Sequence, residues 1–564
     1  SWLKDKIKAS ERLDRLEEQE QSENGTKSSR RKASKVSAEV EQAIAEIQDG
    51  AAYLSVHYRI LLKAPSLEIL DDVIDDLRRR YIDSVGNLSI AAHPGLQRQE
   101  LATLFAPNAS KKGKGFHFTS TELAGAFNLV TNGLNDRGGE FVGYMVGDVN
   151  NSGVLMDVDQ YSHHVVVADD EKSRAEIMNK AQVADMWASK ISQAALINNK
   201  RVVHIILDGA DLTGVLGPRM DTITARIDMS HGDVNPFEVF GDRKDQLSLF
   251  STHLEKMVLL TEQVYQPTDD DQTIIQGQLK DTLEQFYVDQ NMWARNAKDN
   301  QDRLRLVGVP HDQVPQLKLF VTYLDQRYKA LTGRANRDDE MVHAYSVLAS
   351  VFKSMLSANG DLFNVITNDV IDGTQKARRV IYDFSALVDR GKGVAMAQLV
   401  NVLAFAASAL GEGDTLIIHG AELIDKGVKP YMTEQFQRLF RRNGRVALCY
   451  NGVKAMLDDS EFNHFDEADW TALGAMSDAL VPVYEKKLAK QIPVDMTKVI
   501  TRRGEGLTFL RRGTVNVVFK RDLALGLNAH VRDITYDGSV APGRHRGSVM
   551  SRQKARKNAE RKNK

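Results

Sequence analysis

The sequence contains a single cysteine, Cys449, among 564 residues. One cysteine excludes a disulfide framework and a zinc or iron–sulfur site built on cysteines, and it is typical of a protein in a reducing compartment. The chain also lacks a G-x-S-x-G sequence, so no Ser–His–Asp arrangement is indicated. Hydrophobic residues make up 42% and charged residues 27%, as in an ordinary globular protein of about three or four structural units.

The chain has no overall excess of positive charge, since 74 Lys and Arg face 76 Asp and Glu for a net charge of −2. This balance excludes a globally basic nucleic-acid binder. Residues 544–564, however, hold nine Lys or Arg and one Glu. We therefore predict a disordered basic tail over residues 538–564, whose segment 544–564 could contact nucleic acid or an anionic membrane non-specifically.

No apolar run is long enough to span a membrane. The longest, residues 393–411 (GVAMAQLVNVLAFAASALG), is interrupted by Gln398, Asn401 and Ser408, whereas a spanning helix needs about 20 predominantly apolar residues. A strand-like segment follows it directly. The pattern favours a buried helix packed on a sheet.

Alternating patterns and apolar runs divide the chain into five segments. Tyr53–Leu62 and Asn87–Ala92 read as strands, and Ser66–Arg80 reads as a helix between them. Farther on, short apolar strands alternate with helices, which is typical of a parallel sheet covered on both faces. The predicted organisation is a charged leader, helical or disordered (1–50), a small α+β domain (51–160), an α/β domain (161–243 and 360–537), a mostly helical insertion (244–359) and the basic tail (538–564).

Within the α/β domain, Glu171–Asn198 is helix-like, and Leu507–Leu523 reads as a hairpin turning at Arg512-Gly513. The predicted strands of this domain are Val165–Ala168, Arg201–Asp208, Arg379–Leu387, Thr415–His419 and Arg445–Tyr450.

In the order and the sequences of these segments, the chain resembles the conjugal-transfer ATPases of type IV secretion systems (the TraC/TrbE type), in the FtsK/HerA-like class of P-loop motors. The resemblance covers roughly residues 53–526 and implies a RecA-like sheet domain with a helical insertion. It is carried by GEFVGYMVGDVNNSGVLMDVD (139–159), RVVHIILDGADLTGVLG (201–217), IDMSHGDVNPFEVF (227–240), VIYDFSALVDRG (380–391), TLIIHGAELI (415–424) and FQRLFRRNGRVALCYNG (436–452).

The resemblance places the phosphate loop on residues 168–175, and there this sequence departs from the family. A phosphate loop uses glycines for close backbone approach, a lysine on the phosphates and a hydroxyl on Mg²⁺. Here Ala168 and Ser173 stand for the glycines, Arg174 for the lysine and Ala175 for the hydroxyl residue. A shifted frame makes Lys172-Ser173 the Lys-Ser pair but puts Val166 and Glu171 at the glycine positions.

Three acids, Asp169, Asp170 and Glu171, lie in the same loop. One carboxylate about 4 Å from a phosphate costs up to about 4 kcal/mol at an effective dielectric near 20, and a helix N-terminus offers only about half a positive charge. We therefore expect the loop to repel a triphosphate.

The second motif also departs from the family. In the family a strand ends in Asp-Glu, and these acids hold the metal ion and activate water. His419-Gly420 stands there, with Glu422 as the nearest acid, and Asn451 stands where the family has a sensor glutamine. The resemblance implies that an arginine in this region bridges neighbouring subunits, although the same residues are also typical of a solvated basic helix end. The cluster comprises Arg438, Arg441, Arg442 and Arg445. Glu422, Arg441 and Arg442 are thus the catalytic candidates.

These departures predict a degenerate ATPase, without cofactor, that acts as an assembly subunit of a type IV secretion or conjugation apparatus. The resemblance implies an oligomer, cytoplasmic and peripheral at the inner face of the membrane, with other secretion subunits or an active ATPase paralogue as partners. Two alternatives remain open. One is an active motor that holds ATP and Mg²⁺ through Lys172, Ser173 or Arg174, with Glu422 as its acid. The other is a nucleic-acid adaptor that works through the tail.

Overall fold

The computed structural model divides the chain into two compact units, residues 1–131 with 539–564, and residues 132–538. We call them the small unit and the large unit. The structure describes residues 26–56, 66–85, 116–125, 134–146, 152–160, 162–172, 182–333, 338–459, 461–462, 467–488 and 491–526, with residues 11, 14, 15, 17, 18, 62, 95, 98, 531 and 532.

Fifteen strands lie in the described part of the chain. They are β1 (Tyr53–Val56), β2 (Phe116–Thr119), β3 (Glu140–Met145), β4 (Gly153–Met156), β5 (His164–Ala168), β6 (Val202–Ile206), β7 (Thr224–Asp228), β8 (Arg379–Asp383), β9 (Thr415–His419), β10 (Arg445–Tyr450), β11 (Trp470–Leu473), β12 (Leu507–Arg512), β13 (Val515–Arg521), β14 (Ala524–Leu525) and β15 (Val531–Arg532).

The α-helices bounded in the described residues follow in chain order. They are α1 (Lys27–Gln48), α2 (Leu67–Val85), α3 (Ser120–Gly125), α4 (Val183–Ile197), α5 (Pro218–Asp221), α6 (Gln246–Tyr265), α7 (Asp269–Asp289), α8 (Leu317–Thr332), α9 (Asp339–Phe363), α10 (Asp369–Thr374), α11 (Ser385–Arg390), α12 (Lys392–Ser408), α13 (Lys429–Arg441), α14 (Val453–Asp458), α15 (Leu480–Leu488) and α16 (Val494–Ile500).

The small unit pairs β1 with β2 antiparallel, Tyr53 opposite Thr119. Thr119 donates its hydroxyl to Glu46 of α1, which ties this helix to the strand pair. The predicted helix of residues 66–80 is confirmed as α2. The predicted strand Asn87–Ala92 and the basic tail lie outside the described residues.

The large unit is built on one 11-stranded sheet in the order β4-β3-β13-β12-β11-β5-β10-β9-β6-β8-β7. The seven strands from β11 to β7 are parallel, and β12, β13, β3 and β4 extend the sheet antiparallel. The predicted α/β fold class is therefore confirmed.

Both faces of the parallel strands are covered, which explains their uninterrupted apolar sequences. Val165 and Val167 of β5 contribute to the core on the side of α4, whereas Val166 and Ala168 contribute to the core formed with α6 to α12. The predicted buried helix of residues 393–411 is α12, most of whose side chains are buried. In the described part of the chain, no helix combines the length and apolar character needed to cross a membrane.

The predicted hairpin of residues 507–523 is confirmed as β12 and β13, with Arg512 paired to Val515. Gly513 in the turn has a φ of 58°, a left-handed conformation that favours glycine. The structure differs from the predicted domain boundary at residue 160, because β3 and β4 join the large sheet through β13.

Candidate functional site

The carboxyl ends of the central parallel strands bring the predicted motif positions to one edge of the sheet. Ala168 ends β5 and lies opposite Tyr450 of β10 and Leu473 of β11. His419 ends β9, and Asp208 lies shortly after the end of the neighbouring strand β6. This is the edge at which open α/β sheets bind their ligands.

The connection from β5 to the next helix differs from the prediction. Lys172 pairs with Gln182 in an isolated antiparallel bridge, and Val183 donates its N–H to the Glu171 carbonyl (2.9 Å). The helix α4 begins at Val183, so the predicted helical start at Glu171 is wrong. Asp185 fixes the actual start by accepting the Gln182 N–H (3.0 Å). Ser173, Arg174 and Ala175 lie outside the described residues.

Two of the three loop acids form a buried ion-pair cluster with Arg521, at the end of β13. Arg521 donates Nη1 to Asp169 (2.9 Å) and Nη2 to Glu171 (3.0 Å), and the Asp169 and Arg521 side chains are almost fully buried. Asp169 also accepts the Glu171 N–H (2.9 Å). Burial raises the pKa of Asp169 to about 7, although the Arg521 charge opposes this shift. We call Asp169, Glu171 and Arg521 the loop cluster.

Further contacts hold the loop cluster and its neighbour in place. Asp170 pairs with Arg503 at 3.2 Å, and Gly504 donates its N–H to Glu171 (2.8 Å). A Cβ on Gly474 would lie 2.5 Å from the Asp169 carboxylate, so the backbone after β11 closes against this side chain.

The structure thus changes the expectation that the three acids repel phosphate. The acids are paired with arginines from the carboxyl-terminal part of the large unit. No sequence signal identified Arg521, which lies 352 residues after Asp169.

The second-motif histidine lies in a buried chain of hydrogen bonds. His419 contacts Asp185 of α4 through Nδ1 (2.5 Å) and His204 of β6 through Nε2 (3.0 Å). His204 in turn contacts Ser192 of α4 through Nε2 (3.2 Å). Burial lowers the pKa of His204 well below its usual value, so this imidazole is neutral. These contacts connect α4 to two central strands.

Gly420 adopts a φ of 73°, and a Cβ added there would lie 2.8 Å from Cβ of Asp208. A side chain at position 420 would therefore press against Asp208. Burial, with the neighbouring charge of Asp185, raises the pKa of Asp208. The residues His419 and Gly420 do not fit a Mg²⁺ site.

Glu422 and Asn451 contact each other at the same edge. Glu422 accepts from the Asn451 side-chain amide (2.6 Å) and from its backbone N–H (3.3 Å). Burial raises the pKa of Glu422. Of the candidates predicted from sequence, this acid and this amide are brought together.

The arginine candidates Arg441 and Arg442 lie elsewhere. Arg441 is the last residue of α13 and Arg442 follows it. Because α13 leads into the amino end of β10, both lie at the opposite edge from Glu422. Arg442 donates to the carbonyls of Ala407 (2.8 Å) and Ser408 (3.2 Å) at the end of α12.

The described histidines outside this edge do not belong to a candidate metal centre. Among the described residues, no group of three or more His, Cys, Asp or Glu has an arrangement that could hold a metal ion. Asp185, Asp208 and Glu422 are therefore separate carboxylates rather than a shared ligand set.

The comparisons with known proteins find matches to this chain among solved structures. No family model and no curated protein matches the sequence. The structure of VirB4 of Thermoanaerobacter pseudethanolicus aligns with 69% of this chain and 98% of that chain, at 16% sequence identity and a TM-score of 0.53.

Two structures of the plasmid coupling protein TrwB, one with the ATP analogue ADPNP and one with ADP and Mg²⁺, cover 72% and 70% of this chain. The two alignments cover 93% and 98% of the TrwB chains, at 9% and 10% sequence identity, and the TM-score is 0.43 in both. The predicted resemblance is confirmed at the level of the fold: this chain has the RecA-like α/β fold of VirB4.

Proposed function

We propose that this chain is a non-hydrolysing, ATPase-like subunit of a type IV secretion or conjugation apparatus, with an assembly role. The loop cluster carries the proposal. Arg521 supplies positive charge to the β5 loop from inside the protein, and the acids that receive it occupy the start of the loop. A triphosphate would have to displace a buried ion pair to reach this backbone.

The second motif supports the same conclusion. Its histidine is engaged by Asp185, and its glycine is pressed against Asp208. Neither residue can hold Mg²⁺ or activate water in the way that a pair of acids does. The sheet and both its cores are nevertheless intact, so the domain keeps a surface on which other subunits can assemble.

The contact between Glu422 and Asn451 favours a second candidate, an active motor. An acid and an amide at the carboxyl edge of neighbouring strands could together orient a water molecule. In this reading Lys172, with Ser173 or Arg174, would hold the phosphates.

Steady-state release of phosphate from Mg·ATP separates the two candidates. We expect the same background rate for the wild-type chain and for Glu422→Gln, because Glu422 has no bound triphosphate to act on. A Mg²⁺-dependent rate that falls roughly 100-fold or more in Glu422→Gln, the scale of losing a general base, would establish the motor instead.

A further inference from the structure

The strand β7 (Thr224–Asp228) lies at one end of the large sheet. It pairs with β8 on one side, and within the described ranges no strand pairs with its other side. Arg226 and Asp228 are exposed there, whereas Thr224 is half-buried. An edge strand of this kind carries backbone N–H and C=O groups with which a strand of another chain can pair.

The pairing with β8 fixes the direction of these backbone groups. Met229, which directly follows β7, donates its N–H to the Asp383 carbonyl at the end of β8 (2.9 Å). Because successive residues of a strand direct their N–H and C=O groups to opposite sides, Ile227 also bonds towards β8. The backbone groups of Arg226 and Asp228 consequently point away from the sheet, and a further strand would pair with them.

The surroundings of Arg226 contain more positive than negative charge. Arg226 lies opposite Ile381 of β8, two residues from Arg379, so the two arginines share one sheet face. Burial and the neighbouring charge of Arg226 lower the pKa of Arg379 to about 10. Asp221 is the acid near both, but its Oδ1 lies 3.8 Å from Nη2 of Arg226, and its Oδ2 accepts the Gly214 N–H (2.8 Å). A second carboxylate beside Arg226 would therefore be stabilised.

The charges of β7 complement a second copy of the same strand. When two β7 strands are related by a two-fold axis and placed antiparallel, the register with Arg226 opposite Asp228 forms this pair twice, with Ile227 opposite itself between the pairs. Both are hydrogen-bonded pairs, as the backbone direction requires. A shift by two residues would place Arg226 opposite Arg226 or Asp228 opposite Asp228, and like charges directly opposite destabilise paired strands.

Exposed apolar side chains flank β7. Ile223, just before the strand, is 47% exposed, and Ile366 and Val370 are 43% and 70% exposed. The last two lie on either side of Asn368, which donates its N–H to the carbonyl of Asp233, shortly after β7 (3.1 Å). Antiparallel pairing would bring the start of one β7 beside the end of the other, and with it Ile223 of one copy beside this apolar segment of the second.

We propose that two copies of this chain pair antiparallel through β7, with Arg226 of each copy opposite Asp228 of the other. The occupant of the edge is a second copy because the charges of β7 are complementary to themselves about Ile227, as a two-fold interface requires. The pairing does not rest on the proposed function, because it uses no residue of the loop cluster or of the second motif.

Cysteine cross-linking of the full chain tests the register. In the proposed pairing Ile227 lies opposite its counterpart in a non-hydrogen-bonded pair, with Cα atoms about 4.5 Å apart, within the range of a disulfide. Ile227→Cys should therefore give a disulfide-linked dimer on a non-reducing gel after mild oxidation. The matched control is Ala225→Cys, also half-buried on β7, whose counterpart would lie about 14 Å away and should not cross-link. The native Cys449 is buried and should stay reduced.

Charge reversal tests the affinity, with the dissociation constant of the dimer measured by analytical ultracentrifugation. Arg226→Asp turns both opposite-charge pairs into like-charge pairs and should raise this constant roughly tenfold or more. Combining it with Asp228→Arg should restore the constant to within about threefold, which a variant with a misfolded edge would not do. The control is Arg502→Asp at an exposed position just after α16, which should leave the constant unchanged.

Three results would overturn the proposal. One is a wild-type chain that stays monomeric up to its limit of solubility. Another is a dimer whose dissociation constant does not respond to Arg226→Asp. The third is cross-linking of Ala225→Cys that equals or exceeds that of Ile227→Cys, because it would show another register or another interface.

Discussion

Arg521 provides the β5 loop with the kind of charge that a lysine provides in a phosphate loop, but it does so from β13. One guanidinium serves two carboxylates, Asp169 and Glu171. The cluster therefore carries one negative charge in excess when both acids are ionised. Burial of the Asp169 carboxyl outweighs the opposing charge of Arg521, so the pKa of Asp169 rises.

Replacing Arg521 with methionine should destabilise the protein by about 3–5 kcal/mol, because the change leaves a buried carboxylate without its partner. Urea unfolding measures this loss. The matched control is Arg503→Met, which removes the exposed pair with Asp170 and should cost at most about 1 kcal/mol. Equal losses in the two variants would show that the loop cluster is not the tight ion pair described here.

The raised pKa of Asp169 predicts a pH dependence of known sign. Between about pH 4 and about pH 7 the folded chain holds a proton on Asp169 that the unfolded chain has released, so this contribution to stability falls as pH rises. Asp169→Asn removes it. From about pH 5 to about pH 8, the free energy of unfolding of the wild type should therefore fall relative to Asp169→Asn, by at most about 3 kcal/mol. A difference that is constant with pH, or that grows in the opposite direction, would contradict the assignment.

At the scale of elements, two polar contacts on the buried face of α4 attach this helix to the sheet. Asp185 holds His419 at its first turn, and Ser192 holds His204 two turns later. Trp187 lies between them and packs near Trp470 of β11, with ring centroids 5.9 Å apart. The buried face of α4 is thus part of the core of the large unit.

A double-mutant cycle tests this attachment. Asp185→Asn and His419→Leu should each destabilise the protein, and their effects should be non-additive by about 1.5–3 kcal/mol, because both remove one charged hydrogen bond. Ser192→Ala, at the far end of the chain of contacts, should cost no more than about 1.5 kcal/mol. Additive effects of the first two variants in denaturant unfolding would show that the contact contributes nothing.

The elements that could be predicted from sequence are those with a local signal. The apolar runs of β5, β6, β8, β9 and β10 and the glycine turn between β12 and β13 were sufficient to identify them. The strand β11, Trp470–Leu473, was missed because its sequence WTAL lacks the run of valines that identified β5. The start of α4 differs from the prediction because the chain at Lys172 pairs with Gln182, and Asp185 caps the helix only from Gln182 onward.

The candidate site was predictable to the same degree. The order of the motifs placed Glu422 and Asn451 at one edge, and the structure brings them into contact. The ion pair between Asp169 and Arg521 was not predictable from sequence. It depends on how the antiparallel strands, β13 among them, extend the sheet. Sequence reasoning treated the three acids as isolated charges, and only the fold reveals their partners.

At the scale of the whole molecule, the two strands from residues 140–156 belong to the large sheet. Val142, Val154 and Met156 are fully buried, and β3 covers the edge of β13. A fragment of residues 132–538 should therefore unfold at the urea midpoint of the same transition in the full chain.

A fragment of residues 161–538, cut at the boundary predicted from sequence, should lose about 5 kcal/mol or more, because three large apolar side chains lose their place in the core and an edge strand is exposed. Circular dichroism during urea unfolding compares the two fragments. Equal midpoints would contradict the assignment of β3 and β4 to the large unit.

The proposed function requires that the loop cluster keep a triphosphate away from the backbone that follows β5. Photolabelling of the full chain with an azido analogue of ATP and Mg²⁺, followed by mapping of the labelled peptides, tests it most directly. We predict no label on peptides from residues 162–182 that unlabelled ATP can compete away. Competable, Mg²⁺-dependent label on those peptides would contradict the account.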